Sequence, residues 1–576
     1  MYIERVPNRN SPPAILLRES YRENGKVKKR TLANLSQWPP EMMEQFQALL
    51  RGEVVAVGKL EDAFEIVRSR PHGHVVAVLG TLRNLKLEPI LCTRKSRHRD
   101  LVVAMVVARL IAPCSKLATA RSLNAQTCTS TLGEILGVGA TNQLQLYEAM
   151  DWLLERQPQI EKKLAKRHLA SGTIVLCDLT STYLEGVTCS LAERGYSRDG
   201  KRGTLQVVFG LLCDACGRPI AVEVFEGNTA DSTTVECQLN KLKERFELTR
   251  LILVGDRGLL PDKRIHETLK TSEGLDWITA LRSEQVRQLF ESGVLHPALF
   301  ETSDWVELQS NTYPGERLIA CYNSLLAQRR ARGREELCKA TSQELDRIVA
   351  AVSRERSPLR GANNIGVRVG KVINRFKVAK HFQTEITDNS FGYHRLTDKI
   401  AAEAKLDGIY VIRTSVAAST LTATEAVLAY KSLSQVEQAF RSYKTVDLHV
   451  RPIFHRLADR VKAHIFLCML AYYLEWHMRQ ALAPLIFDED AKEQAQKGRQ
   501  SVVAPASRSD RALHKVKSKQ TIEELPVQSF QSILADLATV VKNRIQPRLG
   551  TASAFDKVTQ PTPLQQKAFE LLGVHL

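Results

Sequence analysis

Two short apolar runs, each ending on an aspartate, constrain the fold of this chain more than any other feature. They are TIVLCD at residues 173–178 and LILVGD at residues 251–256. Each run is too short for a helix, and continuous apolar runs of this kind are typical of strands that are covered on both faces. Functional groups collect at the ends of buried strands, so Asp178 and Asp256 are candidate site residues. Taken alone, either aspartate could equally form a turn or cap a helix.

A third acidic residue lies far downstream, on a long helix predicted at residues 430–444. Tyr430, Glu437 and Lys444 are spaced by seven residues. At 3.6 residues per turn, seven residues bring a side chain back to within roughly 20° of its starting direction. Arg441 follows Glu437 by four residues and joins the same face. The simpler interpretation is a solvent-exposed stripe with one Glu–Arg pair, and it holds unless other acids converge on this helix.

Together, these residues resemble the DDE transposases of bacterial insertion sequences. The resemblance is to the subgroup whose third acid lies in a Tyr-x2-Arg-x3-Glu-x6-Lys helix, with Asp178, Asp256 and Glu437 as the three acids. Leu433 stands where that pattern has Arg, which leaves Lys431 or Arg441 as substitutes. Four shorter stretches also match: GNTAD at 227–231, GDRG at 255–258, DGIY at 407–410 and RPIFHR at 451–456. The resemblance covers most of the chain and is strongest between residues 173 and 480.

The order of predicted elements agrees with the ribonuclease-H-like core that the resemblance implies. Strands are predicted at 173–179, 204–213, 219–225, 251–255 and 277–281, and helices at 232–247 and 261–271. Three strands joined by a hairpin and followed by alternating helices and strands are typical of that core. We therefore expect an α/β chain whose catalytic core is a mixed five-stranded sheet with flanking helices, interrupted by an insertion domain. An N-terminal β-plus-helical region is expected to bind DNA.

The sequence divides into six predicted regions. In chain order they are an N-terminal basic β module at 1–97, a helical region at 98–170 that could bind end DNA, the first part of the core at 171–284, an insertion domain at 285–405, the second part of the core with the catalytic helix at 406–486, and a linker with a C-terminal helical tail at 487–576. The β module contains a basic hairpin around Asn24-Gly25, which could touch phosphate or could equally be a solvated surface. A plain helical domain is as good an interpretation of residues 98–170, because no recognition helix stands out.

The predicted insertion domain accounts for the long distance between the second and third acids. Strands are predicted at 305–308, 317–322 and 371–380, around a charged helical hairpin at 327–356. Residues 327–336 are rich in arginine, which could follow a DNA backbone, but a solvated helix is the simpler interpretation.

The charge of the chain favours a polyanionic partner. Lys and Arg number 81 against 63 Asp and Glu, which gives a net charge of +18. Nucleic acid is the first candidate, because an anionic membrane surface usually requires a basic amphipathic helix or a lipidation motif, and the first residues offer neither. The most apolar segments, 101–113 and 464–476, are shorter than the roughly 20 residues of a membrane span. We expect a cytoplasmic, nucleoid-associated bacterial protein without a membrane partner.

The resemblance implies DNA phosphodiester cleavage and strand transfer assisted by two Mg²⁺ ions, which Mn²⁺ could replace. In the family pattern Asp178 bridges both ions, while Asp256 and Glu437 each close one side. Carboxylate oxygens are suitable ligands for such hard ions. The implied partners are double-stranded DNA at the element ends and at the target, and a dimer is expected in the synaptic complex, where two ends meet.

Four further residues are expected to hold phosphate near the cut: Tyr430, Lys444, Arg441 and Arg257. Two alternative functions remain open at this stage. One is a catalytically degenerate repressor that binds element ends, which Leu433 favours and the three acids oppose. The other is a ribonuclease-H-like nuclease, which shares the chemistry without the end specificity.

Overall fold

The computed structural model describes residues 1–9, 12–23, 25–52, 64–201, 203–499, 501–547 and 553–576. Asn24 of the predicted hairpin turn lies outside them. The strands, β1 to β17 in chain order, are Tyr2–Val6, Ala14–Glu23, Lys26–Asn34, Phe64–Pro71, Thr173–Tyr183, Glu193–Arg194, Leu205–Asp214, Pro219–Glu226, Leu251–Gly255, Leu275–Ala280, Trp305–Leu308, Arg317–Tyr322, Phe382–Ile386, Phe391–Arg395, Ile409–Thr414, Val541–Pro547 and Phe555–Val558.

The α-helices are labelled α1 to α20. They are Pro40–Leu50, Gly73–Asn84, Leu87–Leu91, Arg97–Ile111, Lys116–Leu123, Leu132–Ile135, Gln143–His168, Val235–Asn240, Asp262–Arg264, Ser283–Glu291, Ser324–Val352, Ala362–Phe376, Thr397–Ala404, Ala423–Lys431, Leu433–Arg441, Ala458–Leu482, Lys492–Lys497, Asp510–Ser518, Phe530–Ala538 and Pro563–Leu572. Short 3₁₀ segments lie at Asp231–Thr234, Pro297–Phe300, Ala379–His381 and Ala483–Leu485, and π-helical turns at Lys241–Arg245, Ile265–Leu269 and Ser442–Val446.

The main sheet joins nine strands in the order β11-β12-β15-β10-β9-β5-β7-β6, with β8 paired to β7. β5 is antiparallel to β7 and parallel to β9, and β9 is parallel to β10. The path β8-β7-β5-β9-β10 is the mixed five-stranded sheet of a ribonuclease-H-like core, as the sequence predicted. The sheet does not stop there. It continues through β15, β12 and β11, so nine strands replace the expected five.

The central strands are apolar because helices cover both faces of the sheet. Every residue of β9 is buried, and so is almost all of β7. The long helix α16 is itself buried along most of its length and packs against β8, α4 and α7. Strands that are buried on both faces carry mostly apolar side chains.

The helical region begins earlier than expected, at α2 rather than at residue 98. α4 is buried on nearly all sides, which explains its continuous apolar sequence. No single helix in the described ranges is long and apolar enough to cross a membrane, although α4 and α5, which are bent by 103° between them, reach the required length and composition as a pair.

The predicted insertion domain is divided between two structures. β11 and β12 join the main sheet, whereas α11 and α12 pack with the β13–β14 hairpin around a separate apolar core. The helical hairpin predicted at 327–356 is wrong, because α11 is one continuous helix. The strand predicted at 371–380 is also wrong. Val372, Ile373 and Phe376 pack against that core from the helix, so the β-branched side chains of Val372 and Ile373 indicated the wrong element.

The chain forms two compact units, residues 1–70 with 541–560, and residues 71–540 with 561–576. The first unit contains the sheet β1-β2-β3 and the sheet β17-β16-β4. The predicted hairpin is confirmed as β2 and β3, and three of its cations pair with glutamates of the same unit: Lys28 with Glu23, Lys29 with Glu4 and Arg30 with Glu19. Val541–Pro547 and Phe555–Val558 were expected in a helical tail. They form strands instead, and Val541–Pro547 lies between Phe555–Val558 and β4 in their sheet. The other predicted domain boundaries stay predictions.

Candidate active site

Asp178 lies within β5 rather than at its end. The parallel pairing of β5 with β9 stops at Cys177 opposite Gly255, one residue before the aspartate. The antiparallel pairing with β7 continues to Tyr183, with Asp178 opposite Leu211. The prediction that the strand ends near Asp178 is therefore wrong, because one neighbouring strand still supports it. The aspartate nevertheless stands directly after the point where the pairing with β9 ends.

Asp256 directly follows β9, as predicted, and its side chain also shapes the turn. Its Oδ1 accepts hydrogen bonds from the backbone N–H groups of Gly258 at 3.0 Å and Leu259 at 2.7 Å. Gly258 leaves space beside the carboxylate, since an added Cβ would lie 3.4 Å from both Asp256 oxygens and 3.7 Å from Oδ2 of Asp231. Asp256 therefore both stabilises the turn and remains a candidate site residue, so the two interpretations are compatible.

The charges of the acids act on one another. The pKa of Asp178 is raised to about 7, first by burial and then by the charge of Asp256, with a smaller contribution from Glu437. The hydrogen bond that Asp178 Oδ1 accepts from the N–H of Leu179 at 2.8 Å, and the charge of Arg198, act in the opposite direction. The structure thus brings Asp178 and Asp256 together as a partly buried like-charged pair.

Glu437 lies on a broken helix, so the predicted single helix is wrong. α14 and α15 meet at Ser432, and a π turn, Ser442–Val446, follows α15. The Ser432 hydroxyl donates a hydrogen bond to the carbonyl oxygen of Ala429 at 2.6 Å, a contact that often bends helices. The Glu437 side chain is 62% exposed and lies 3.9 Å from Arg441, which is also exposed. This loose pair is the one that the simpler interpretation predicted.

Tyr430 connects the helix to the acidic pair. Burial raises the pKa of its phenol to about 12, with further contributions from the charges of Asp256, Asp178 and Glu437. Arg257, exposed beside Asp256, acts in the opposite direction. The phenol therefore stays protonated at neutral pH and can donate a hydrogen bond at the edge of the acidic pair.

The acids are of the residue type that binds a metal ion, but their side chains are not arranged as a complete set of ligands. Carboxylate oxygens suit Mg²⁺ and Mn²⁺, and the repulsion at Asp178 is of the kind that a divalent ion relieves. Across the described ranges, however, no three His, Cys, Asp or Glu side chains are placed so that they could hold one ion. The ligand roles of Asp178, Asp256 and Glu437 stay predictions.

Lys444 is engaged by a residue that the sequence did not point to. Its Nζ donates a hydrogen bond to Asp199 Oδ1 at 2.7 Å, and the other Asp199 oxygen is ion-paired with Arg451. The seven-residue spacing from Glu437 crosses the π turn, which winds differently from an α-helix and changes the direction of later side chains. Burial lowers the pKa of Lys444 in spite of the bond to Asp199.

Four residues at this site were missed by sequence reasoning: Arg198, Asp199, Asp231 and Arg451. Two of them had a signal, since Asp231 ends the GNTAD stretch and Arg451 begins RPIFHR. Arg198 and Asp199 had none, because their partners are remote in sequence. Arg198 is hydrogen-bonded to Asp231, and Asp199 to Lys444.

Comparison with known proteins gives two family matches. A family described as "Transposase DDE domain" matches residues 171–474, and one described as "IS1634 family transposase, N-terminal domain" matches residues 3–58. No curated protein matches the chain. Among solved structures, a piggyBac transposase synaptic complex with hairpin DNA is 9% identical over 81% of this chain and 76% of that one, with a TM-score of 0.33. A Mos1 transposase paired-end complex is 18% identical over 28% of this chain and 59% of that one, with a TM-score of 0.13.

Proposed function

Because this chain belongs to the DDE transposases, and its N-terminal residues match those of the IS1634 family, we propose that it cuts the ends of its own insertion sequence and joins them to target DNA. The DDE match covers more than half of the chain. We assign it further to the subgroup with the Tyr-x2-Arg-x3-Glu-x6-Lys helix, on the spacing of Tyr430, Glu437 and Lys444. Leu433 departs from that pattern.

The acids Asp178, Asp256 and Glu437 would hold two Mg²⁺ ions, or Mn²⁺ in their place. When bound, such ions activate the attacking oxygen and stabilise the leaving oxygen of a phosphodiester. The observation that carries this proposal is the raised pKa of Asp178 beside Asp256. Two neighbouring, partly buried carboxylates are costly to keep charged together unless a cation joins them.

The other side chains orient the DNA. Tyr430 donates from its protonated phenol toward the phosphate at the acidic pair, while the exposed Arg257 and Arg441 approach the flanking backbone. Lys444, which is paired with Asp199, is the fourth residue of this set. Asp256 is held in one rotamer by its two backbone donors, so its free oxygen points in a fixed direction.

Double-stranded DNA at the element ends and at the target is the proposed partner, supported by the net charge of +18. We place the protein in the bacterial cytoplasm, with the nucleoid. Joining two ends to one target requires both ends to be held at once, so we propose a dimer in the synaptic complex. The N-terminal β module and the helical region would recognise the ends, and residues 285–405 would serve as an insertion domain beside the core.

The experiment is a cleavage assay on labelled duplexes that carry either the sequences flanking the gene or a random sequence. Mg²⁺-dependent cutting at one position of the flanking duplex, followed by transfer of the 3′ end to a second duplex, is the expected result. Binding without cutting in Mg²⁺ or Mn²⁺ would instead indicate the repressor. Equal cutting of both duplexes would indicate a nuclease without end specificity.

A further inference from the structure

A short loop between β6 and β7 brings a cation and an anion to the active site on neighbouring residues. The base of the loop is fixed, because the backbone of Gly195 passes so close to Gly227 that an added Cβ would lie 2.2 Å from the Gly227 carbonyl oxygen. The backbone N–H of Arg198 then donates to Ser181 Oγ at 3.2 Å, on the strand that carries Asp178. The loop is thereby held beside the acidic pair.

Asp199 is ion-paired with two cations of the active site, Lys444 and Arg451. The exposed fractions of the three side chains are low, 14% for Asp199, 9% for Lys444 and 17% for Arg451. Each oxygen of Asp199 serves one cation, as a phosphodiester with two free oxygens also would. Arg451 Nη1 lies against the carboxylate without hydrogen-bonding geometry, so this buried donor is incompletely satisfied.

Arg198 acts on the acids in the same way. Its guanidinium is hydrogen-bonded to Asp231, and the charges of Asp178 and Asp256 both stabilise its protonated form against burial. It therefore supplies positive charge at the place where the acids repel each other. The two neighbouring residues of the loop thus neutralise both halves of the site. Arg198 offsets the charge of the acids, and Asp199 offsets the charge of Lys444 and Arg451.

We propose that Lys444 and Arg451 form a binding site for one phosphodiester group of DNA, and that Asp199 fills this site in the DNA-free protein. The inference rests on the proposed function. Exchanging one carboxylate for one phosphodiester leaves the local charge balance unchanged, so it avoids the cost of an unpaired buried charge. Since Arg198 adjoins Asp199, displacement of the loop also withdraws the guanidinium from Asp178 and Asp256.

The test is the affinity for a fluorescein-labelled duplex of random sequence, measured by anisotropy without divalent metal. Asp199→Asn is expected to bind it about three- to tenfold more tightly than the wild type, because the competing charge is gone. Adding Lys444→Ala to that variant should remove the gain. Asp407→Asn is the matched control, since Asp407 is equally buried and ion-paired with Arg334, and its loss changes the net charge by the same amount. Unchanged affinity is expected there.

A second measurement uses the unmodified protein, so it does not depend on how a variant folds. Backbone hydrogen exchange in residues 195–201 is expected to accelerate when the duplex is added, because the loop is released. Slower or unchanged exchange, or an Asp199→Asn variant that binds no more tightly than the wild type, would overturn the inference and make Asp199 a permanent structural partner. Neither measurement requires cleavage, so failure to cut element ends would refute the proposed function separately.

Discussion

The sheet and the broken helix present their acids in opposite ways. Asp178 and Asp256 come from buried, paired strands, and backbone N–H groups hold their carboxylates. Glu437 comes from a helix interrupted on both sides, and 62% of its side chain is exposed. The sheet holds two of the acids in place, while the helix leaves the third without a rigid support. Asp178 and Asp256 are therefore held in position and repel each other. Glu437 contributes less to that repulsion, and its side chain is not held in one position.

The largest expected effect comes from removing one acid of the sheet or the acid of the helix, which tests whether both elements contribute to the site. Asp256→Asn and Glu437→Gln should each reduce Mg²⁺-dependent end cleavage by about a thousandfold or more, because each removes a negative charge from a proposed metal ligand. Affinity for the end duplex, measured without metal, should change little. If Glu437→Gln alone kept its activity, the helix would not contribute an acid to the site.

Lengthening or shortening a side chain by one methylene group tests how rigidly the sheet and the helix hold their carboxylates. Asp178→Glu should lose about a hundredfold in cleavage rate, because the strand cannot shift to compensate for the added length. Glu437→Asp should lose only about tenfold, because an exposed side chain on an interrupted helix can adjust its position. Single-turnover rates at saturating Mg²⁺ give both values. Equal losses would mean that Glu437 is as rigidly held as Asp178.

The stability of the fold should respond to Asp178 and not to Glu437. The pKa of Asp178 is about 7 in the folded protein against an ordinary 3.8, so the folded state binds its proton more tightly than the unfolded state does. This contribution is complete below pH of about 4 and is lost as the pH rises through about 7, at most about 4 kcal/mol. Asp178→Asn should therefore raise the melting temperature at pH above about 7, and not below about 4. Glu437→Gln should leave it unchanged at both.

The smallest effect concerns the exposed pair on the helix. Arg441→Ala should leave the melting temperature unchanged, because the side chain is 76% exposed and lies 3.9 Å from Glu437. Its affinity for the end duplex should fall about two- to threefold, the loss of one phosphate contact. Lys444→Ala is the contrasting variant. It leaves Asp199 without one buried partner, so it should lower the melting temperature measurably.

How far the sequence predicts this molecule depends on how local each signal is. The end of β9 at Asp256 and the core strand order follow from short apolar runs, and the structure confirms both. The true length of β5 was missed, because pairing with β7 extends it beyond the point where β9 ends. The break at Ser432 coincides with a single hydroxyl contact, which the apolar periodicity does not register. Arg198 and Asp199 could not be predicted as site residues, because their partners lie tens to hundreds of positions away.

The pairing of β4 with a strand from the far end of the chain has a consequence for synthesis. Residues 64–71 leave the ribosome early, yet their sheet neighbour β16 begins only at Val541. During synthesis, β4 therefore has no strand to pair with in this sheet until nearly the whole catalytic region has been translated. A gene copy interrupted before that point would yield a product with an exposed strand edge, which invites aggregation. Interrupted copies of the gene would thus tend to yield insoluble protein rather than a soluble partial enzyme.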